Sequence, residues 1–222
     1  MIVGERKPLA EIWQMVSQHQ RLLVVGCGTC VTVCLAGGEK EVGILASSLE
    51  LIALRQNQNL KVVEKTIIRQ CEKEMVRELE AEAREVEAIV SLGCGAGVQT
   101  IAEIFAGLPV YPGLNTSFIG IPEEQGVWSE RCAACGNCIL DRTGGICPIA
   151  RCSKSLLNGP CGGSQNGKCE IDPTIDCGWQ LIYDRLKTLG QLNKLEEILP
   201  PKDWSTNRDG GPRRIDRGDL RL

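Results

Sequence analysis

The feature that most constrains this chain is its cysteine array: 13 cysteines in 222 residues, eight of them between positions 132 and 177. That stretch is rich in Gly, Pro and Asn and shows little periodicity, so it cannot build an apolar core and its order must come from ligation. A chain of this length can bury a core elsewhere and does not need disulfide staples. An odd number of cysteines also fits a fully paired disulfide framework poorly. The first residues place Glu5, Arg6 and Lys7 ahead of a helical run, without the apolar segment and cleavage site of an export signal. A cytoplasmic protein with reduced thiols is therefore expected, and reduced cysteines at short spacings point to metal ligands. A net charge of −3, with only two Phe, two Tyr and four Trp, argues against a nucleic-acid partner. No uninterrupted apolar run is long enough to span a bilayer.

Residues 1–127 read as alternating α and β. Leu9, Ile12, Trp13 and Val16 form a helical stripe, and Leu22 to Val25 is a short apolar run ending at Gly26, which suits a buried parallel strand. A helix over 42–55, a strand over 60–68, an amphipathic helix over 70–86, a strand over 88–92 and a helix over 98–106 follow. Short strands are expected near Val110 and over 117–121. This alternation predicts a Rossmann-like, doubly wound parallel sheet. The expected organisation continues with an irregular Cys-rich region at 128–178 and a helical segment at 179–199, whose apolar side is Leu181, Ile182, Leu186 and Leu189. A tail at 200–222 should be mobile unless a partner orders it.

The N-terminal half contains an internal echo. Gly26-Cys27-Gly28-Thr29-Cys30 and Gly93-Cys94-Gly95-Ala96-Gly97 each follow a predicted strand and precede a predicted helix. Both turns belong at the carboxyl edge of the sheet, where open α/β sheets gather ligands. Cys27 and Cys94 should meet there. Cys30 and Cys34 lie one helical turn apart, so Cys27, Cys30, Cys34 and Cys94 are candidate ligands of a 4Fe–4S cluster, with zinc as the alternative. Helix N–H groups and the glycines at 26, 28, 93, 95 and 97 would let backbone approach a negatively charged centre. A dinucleotide turn is the competing reading, but both segments lack the third glycine of that fingerprint. Cys71 starts a run with Met75, Leu79 and Ala83 and is expected to pack in the core. His19, the single histidine, is expected at an exposed helix end.

In the C-terminal array, Cys132-x2-Cys135-x2-Cys138 has the spacing of a ferredoxin triplet. Cys147-Pro148 keeps the ferredoxin Cys-Pro pair at a longer interval, and Cys152, Cys161, Cys169 and Cys177 follow. These eight thiols suit two 4Fe–4S clusters, one cluster and a zinc site, or one cluster with spare cysteines.

Together these motifs resemble the methylenetetrahydrofolate reductase C-terminal-domain family, in particular its MetV-type iron–sulfur partner subunits from acetogens and related anaerobes. The resemblance rests on the turns at 26–30 and 93–97, on Cys132 to Cys138 running to Cys147-Pro148-Ile149-Ala150, and on Leu157-Asn-Gly-Pro-Cys-Gly-Gly163 with Cys169 after it. It implies a non-catalytic electron-transfer subunit with at least two 4Fe–4S clusters, zinc replacing one C-terminal cluster in the alternative. Its partner would be a flavin-containing MetF-type methylenetetrahydrofolate reductase subunit in one-carbon metabolism of the Wood–Ljungdahl type. The electron donor would be a ferredoxin or a larger redox complex. Lys202, Arg208, Arg213, Arg214, Arg217 and Arg221 make the tail a candidate docking element. The rival readings are a zinc-stabilised assembly module without a redox role and a thiol enzyme using Cys27 and Cys30.

Overall fold

A computed structural model describes residues 1–217 and 219. The chain forms two compact units, Met1–Ser129 and the remainder from Glu130 onward. The first unit runs β1 (Ile2–Arg6), α1 (Leu9–Val16), β2 (Arg21–Cys27), α2 (Cys30–Val33), α3 (Glu39–Arg55), β3 (Lys61–Ile67), α4 (Lys73–Arg77), α5 (Glu80–Ala83), β4 (Ala88–Ser91), α6 (Gly95–Ile104), β5 (Val110–Pro112), β6 (Leu114–Glu124) and β7 (Val127–Cys132), the last strand ending just past the boundary. A parallel four-stranded sheet has the order β3-β2-β4-β5, and a separate three-stranded sheet has the order β1-β6-β7.

Burial of β2 on both faces explains the layering. Successive strand side chains point to opposite sides. Leu22 and Val24 join Ile12, Val16, Leu45 and Leu49 from α1 and α3 in one core. Leu23 and Val25 join Val76, Leu79 and Ile101 from the α4–α6 side in the other. The expected doubly wound α/β arrangement is what forms. Helix α3 starts earlier than its apolar pattern suggests, because Glu41 reaches back to accept from the Gly38 N–H at 3.0 Å.

Two features depart from the expected pattern. Residues 2–6 are a strand, antiparallel to β6, with Ile2 opposite Ile119 and Arg6 opposite Leu114. Its partner lies more than a hundred residues away, so local periodicity does not reveal it. The helix expected over 70–86 is broken into α4 and α5, and Cys71 stands outside both, exposed in the turn before α4. A four-residue repeat drifts about 40° per step around a helix of 3.6 residues per turn. Cys71 therefore could not share a face with Ala83, and the buried stripe is Val76, Leu79 and Ala83.

The second unit holds α7 (Pro148–Arg151), α8 (Gly178–Thr188) and three short 3-10 turns at Leu192–Leu195, Trp204–Thr206 and Arg208–Gly210. Its core is small: Cys177, Trp179, Ile182 and Leu186, with Ile146, Cys152, Leu156 and Leu192 packed around them. The inward side of α8 is thus Trp179, Ile182 and Leu186, at intervals of three and four, while Leu189 is exposed. The Trp179 indole N–H donates to the Leu156 carbonyl at 3.0 Å, tying the helix to the loop.

Leu23→Ala should lower stability to urea by about 2–5 kcal/mol, whereas Leu51→Ala on the exposed side of α3 should change it by no more than about 0.5 kcal/mol.

Candidate metal centres

Strand pairing brings two of the predicted ligands to one edge. Cys27 ends β2 and Cys94 caps α6 just after β4; the two strands are neighbours, with Val25 opposite Ser91. The chain leaves β2 towards β3 and leaves β4 towards β5, so this crevice is the topological switch point of the sheet. Cys27 is buried, with its Sγ 3.6 Å from the Thr29 hydroxyl and 3.8 Å from the Ile68 carbonyl.

Cys30 and Cys34 begin and cap α2, where the Cys34 N–H donates to the Cys30 carbonyl at 3.2 Å. Cys30 is partly exposed, but Cys34 is buried and its thiol donates to the Ile2 carbonyl of β1 at 3.5 Å. Burial pushes the Cys34 thiol above its ordinary pKa, opposed by a bond from the Gly4 backbone. The quartet of Cys27, Cys30, Cys34 and Cys94 therefore divides: Cys27 and Cys94 lie at the sheet edge, while Cys34 is engaged with β1.

The turn after β3 reaches the same edge through a residue that the sequence did not single out. Gln70 is buried; its amide donates to the Val25 carbonyl at 2.9 Å and its oxygen accepts from the Ser91 hydroxyl at 2.5 Å. Ser91 in turn accepts from the Gly93 N–H at 3.1 Å. A Cβ on Gly93 would lie 2.3 Å from Gln70 Oε1, and one on Gly97 would lie 2.7 Å from Gln70 Cβ. These two glycines thus make room for Gln70. A lone glutamine between two strands has the appearance of a surface residue, and only the pairing of β2 with β3 and β4 shows its role.

His19 also differs from expectation. It is half-buried, with Nε2 3.1 Å from the Tyr111 hydroxyl.

The second unit gathers its last four cysteines. Cys152, Cys161, Cys169 and Cys177 line one enclosed cavity of about 10 Å³, together with Lys154, Glu170 and Trp179. The Cys169 N–H donates to the Ile175 carbonyl at 3.0 Å and the Cys177 N–H to the Gly167 carbonyl at 2.8 Å, which fixes the two turns that carry them. Ser153 lies 3.4 Å from Cys169 Sγ and is the main cause of that thiol's lowered pKa. Ser164, also on the cavity wall, has a buried hydroxyl with no hydrogen-bond partner. Four soft donors, an unsatisfied hydroxyl and a space between them fit a thiolate-bound metal.

Cys132 ends β7, Cys135 and Cys138 follow on the loop after it, and Cys147 caps α7. Tail residues bond back to this loop. The Thr206 hydroxyl donates to the Cys135 carbonyl at 2.9 Å, Arg213 to the Ala134 carbonyl at 2.6 Å and Lys202 to the Asn137 carbonyl at 3.2 Å. Gly136 has φ +80°, and a Cβ there would lie 2.3 Å from the Thr206 carbonyl oxygen, so this close approach requires glycine. The tail expected to be mobile is tied to the cysteine loop over these residues; Arg221 lies outside the described residues.

All 13 cysteines are free thiols. Among the described residues, no group of three or more Cys, His, Asp or Glu side chains stands at metal-holding separations. The cavity and the sheet edge are defined by which donors converge and not by a closed coordination shell. No described helix is long and apolar enough to cross a membrane.

Residues 111–205 match the family described as methylene-tetrahydrofolate reductase C terminal, the family that the cysteine motifs resemble. No curated protein and no solved structure matches the chain.

Gln70→Ala should leave the Ser91 hydroxyl and the Val25 carbonyl without their buried partner and lower stability by about 1–3 kcal/mol in urea denaturation of the metal-free chain.

Proposed function

We propose, from the match of residues 111–205 to the methylene-tetrahydrofolate reductase C-terminal family, that this chain is an iron–sulfur subunit that relays electrons to a flavin-containing reductase subunit. The observation that carries the reading is the convergence of Cys152, Cys161, Cys169 and Cys177 on one cavity in a chain without disulfides. Four cysteines drawn from a loop-rich segment to one point are hard to explain by packing, since the unit's apolar core is too small to order so much irregular chain.

When bound, 4Fe–4S clusters supply one-electron transfer at potentials set by ligand charge, hydrogen bonds to sulfur and burial. The chain's contribution is to hold and tune them. Cys27 and Cys94, with Cys30 beside them, would serve the sheet edge; Cys132, Cys135, Cys138 and Cys147 would serve the loop. The Ser153 hydroxyl beside Cys169 stabilises a thiolate there, and Trp179 closes one wall of its cavity to water. The partner is a MetF-type subunit reducing methylene-tetrahydrofolate, and the donor is a ferredoxin or a larger redox complex, as the resemblance implies.

A zinc-only assembly module is the competing function.

Anaerobic purification followed by iron, sulfide and zinc analysis decides between them. The relay reading expects iron, acid-labile sulfide and visible absorbance that dithionite bleaches; a colourless protein holding only zinc overturns it. The two C-terminal groups should also separate chemically: Cys161→Ser should remove one metal centre and Cys135→Ser a different one. Removing residues 200–222 tests docking by the tail. Reduced co-purification with the reductase subunit supports docking, and unchanged co-purification leaves the tail as a clasp on the Cys132–Cys138 loop alone.

A further inference from the structure

We infer that Cys71 is a ligand of the sheet-edge metal centre, joining Cys27 and Cys94, and that Cys34 is not. The inference rests on the proposal that this edge holds a thiolate-bound metal, and it identifies which thiols hold it.

Three adjacent parallel strands each deliver one cysteine at or just beyond the carboxyl end. Cys27 is the last residue of β2, Cys71 follows β3 and Cys94 follows β4, with β2 between the other two. Neighbouring strands lie about 4.8 Å apart, so the three turns share one short stretch of edge. The β3 turn is pinned there. Gln70, adjacent to Cys71 in the chain, bonds to the end of β2 at Val25 and to Ser91 at the end of β4. The same side chain packs onto Gly93 and Gly97, which flank Cys94. Moving this turn away from β2 and β4 would break a buried hydrogen-bond network.

Cys71 is exposed, so apolar packing does not account for its position. Cys27 and Cys34 are both buried against the α1–α3 core, but their thiols engage different elements: Cys27 Sγ lies 3.8 Å from the Ile68 carbonyl in the turn after β3, whereas the Cys34 thiol donates to the Ile2 carbonyl of β1. Cys30, half-exposed at the start of α2, is the remaining donor near Cys27.

The test uses the full chain purified anaerobically as wild type, Cys94→Ser, Cys71→Ser and Cys34→Ser. Each protein is assayed for iron, sulfide and zinc and for the electron paramagnetic resonance signals of its dithionite-reduced form. Cys71→Ser and Cys94→Ser should lose the same centre, seen as an equal fall in metal and the same missing signal. Cys34→Ser should keep the wild-type complement. If Cys94→Ser loses a centre and Cys71→Ser retains it, Cys71 is not a ligand. Loss of that centre in Cys34→Ser overturns the exclusion of Cys34. If no variant differs from wild type, there is no metal at the sheet edge, and the underlying proposal fails together with this one.

Alkylation of the unmutated protein gives a reading independent of variant folding. Cys71 should resist iodoacetamide in the metal-loaded chain and react once a chelator has stripped the metal. Equal reactivity in both states overturns the assignment.

Discussion

Burial of β2 on both faces is the constraint on which the N-terminal unit depends. Leu22 and Val24 face one layer of helices and Leu23 and Val25 the other, so β2 occupies an interior position of the sheet with β3 and β4 on either side. Parallel pairing then aligns the carboxyl ends of all three strands. The cysteine-bearing turns meet at that edge because an apolar strand needs two covered faces, not because the cysteines attract one another. Gln70 completes the arrangement by satisfying the Val25 carbonyl and the Ser91 hydroxyl where strand pairing has ended.

The second unit is organised differently. Its apolar core is one face of α8 with a few neighbours, and most of its chain is turns. Hydrogen bonds substitute for apolar packing: Asn158 and Leu199 bond reciprocally, Lys168 pairs with Asp176 at 2.6 Å, and Thr206, Arg213 and Lys202 hold the Cys132–Cys138 loop. The ion pairs among these are exposed and contribute little individually. On the proposed reading, such a unit would gain most of its stability when thiolates bind a metal, which would couple folding to metal loading there. The N-terminal unit has its own two-layered apolar core, so a metal at its sheet edge would be added to a finished sheet.

How much of this was legible depends on the range of the interaction. The run Leu22 to Val25 declared a buried strand, and the repeated Gly-Cys-Gly turns declared two strand-to-helix junctions, because both signals are local. The convergence of Cys27 and Cys94 could be anticipated from the general behaviour of open sheets. Strand β1 could not, since Ile2–Arg6 becomes a strand only by pairing with β6. The four-residue interval from Cys71 to Ala83 mimics one helix face, but the chain breaks into two short helices and leaves Cys71 exposed in a turn. Gln70 carried no signal at all.

The sequence alone raises thiolate ligation as the expected chemistry, because thirteen cysteines stand largely at short spacings. It also determined the α/β character of the first unit, because periodicity reports local burial. Only the tertiary structure decided which thiols are neighbours. The pairing of β3 and β4 with β2 brings the turns that carry Cys27, Cys71 and Cys94 to one edge of the sheet, and Cys152, Cys161, Cys169 and Cys177 line one cavity of the second unit. The physical reason is that a cysteine's identity is local, whereas a ligand set is a coincidence in space made by backbone pairing and burial far away in the chain.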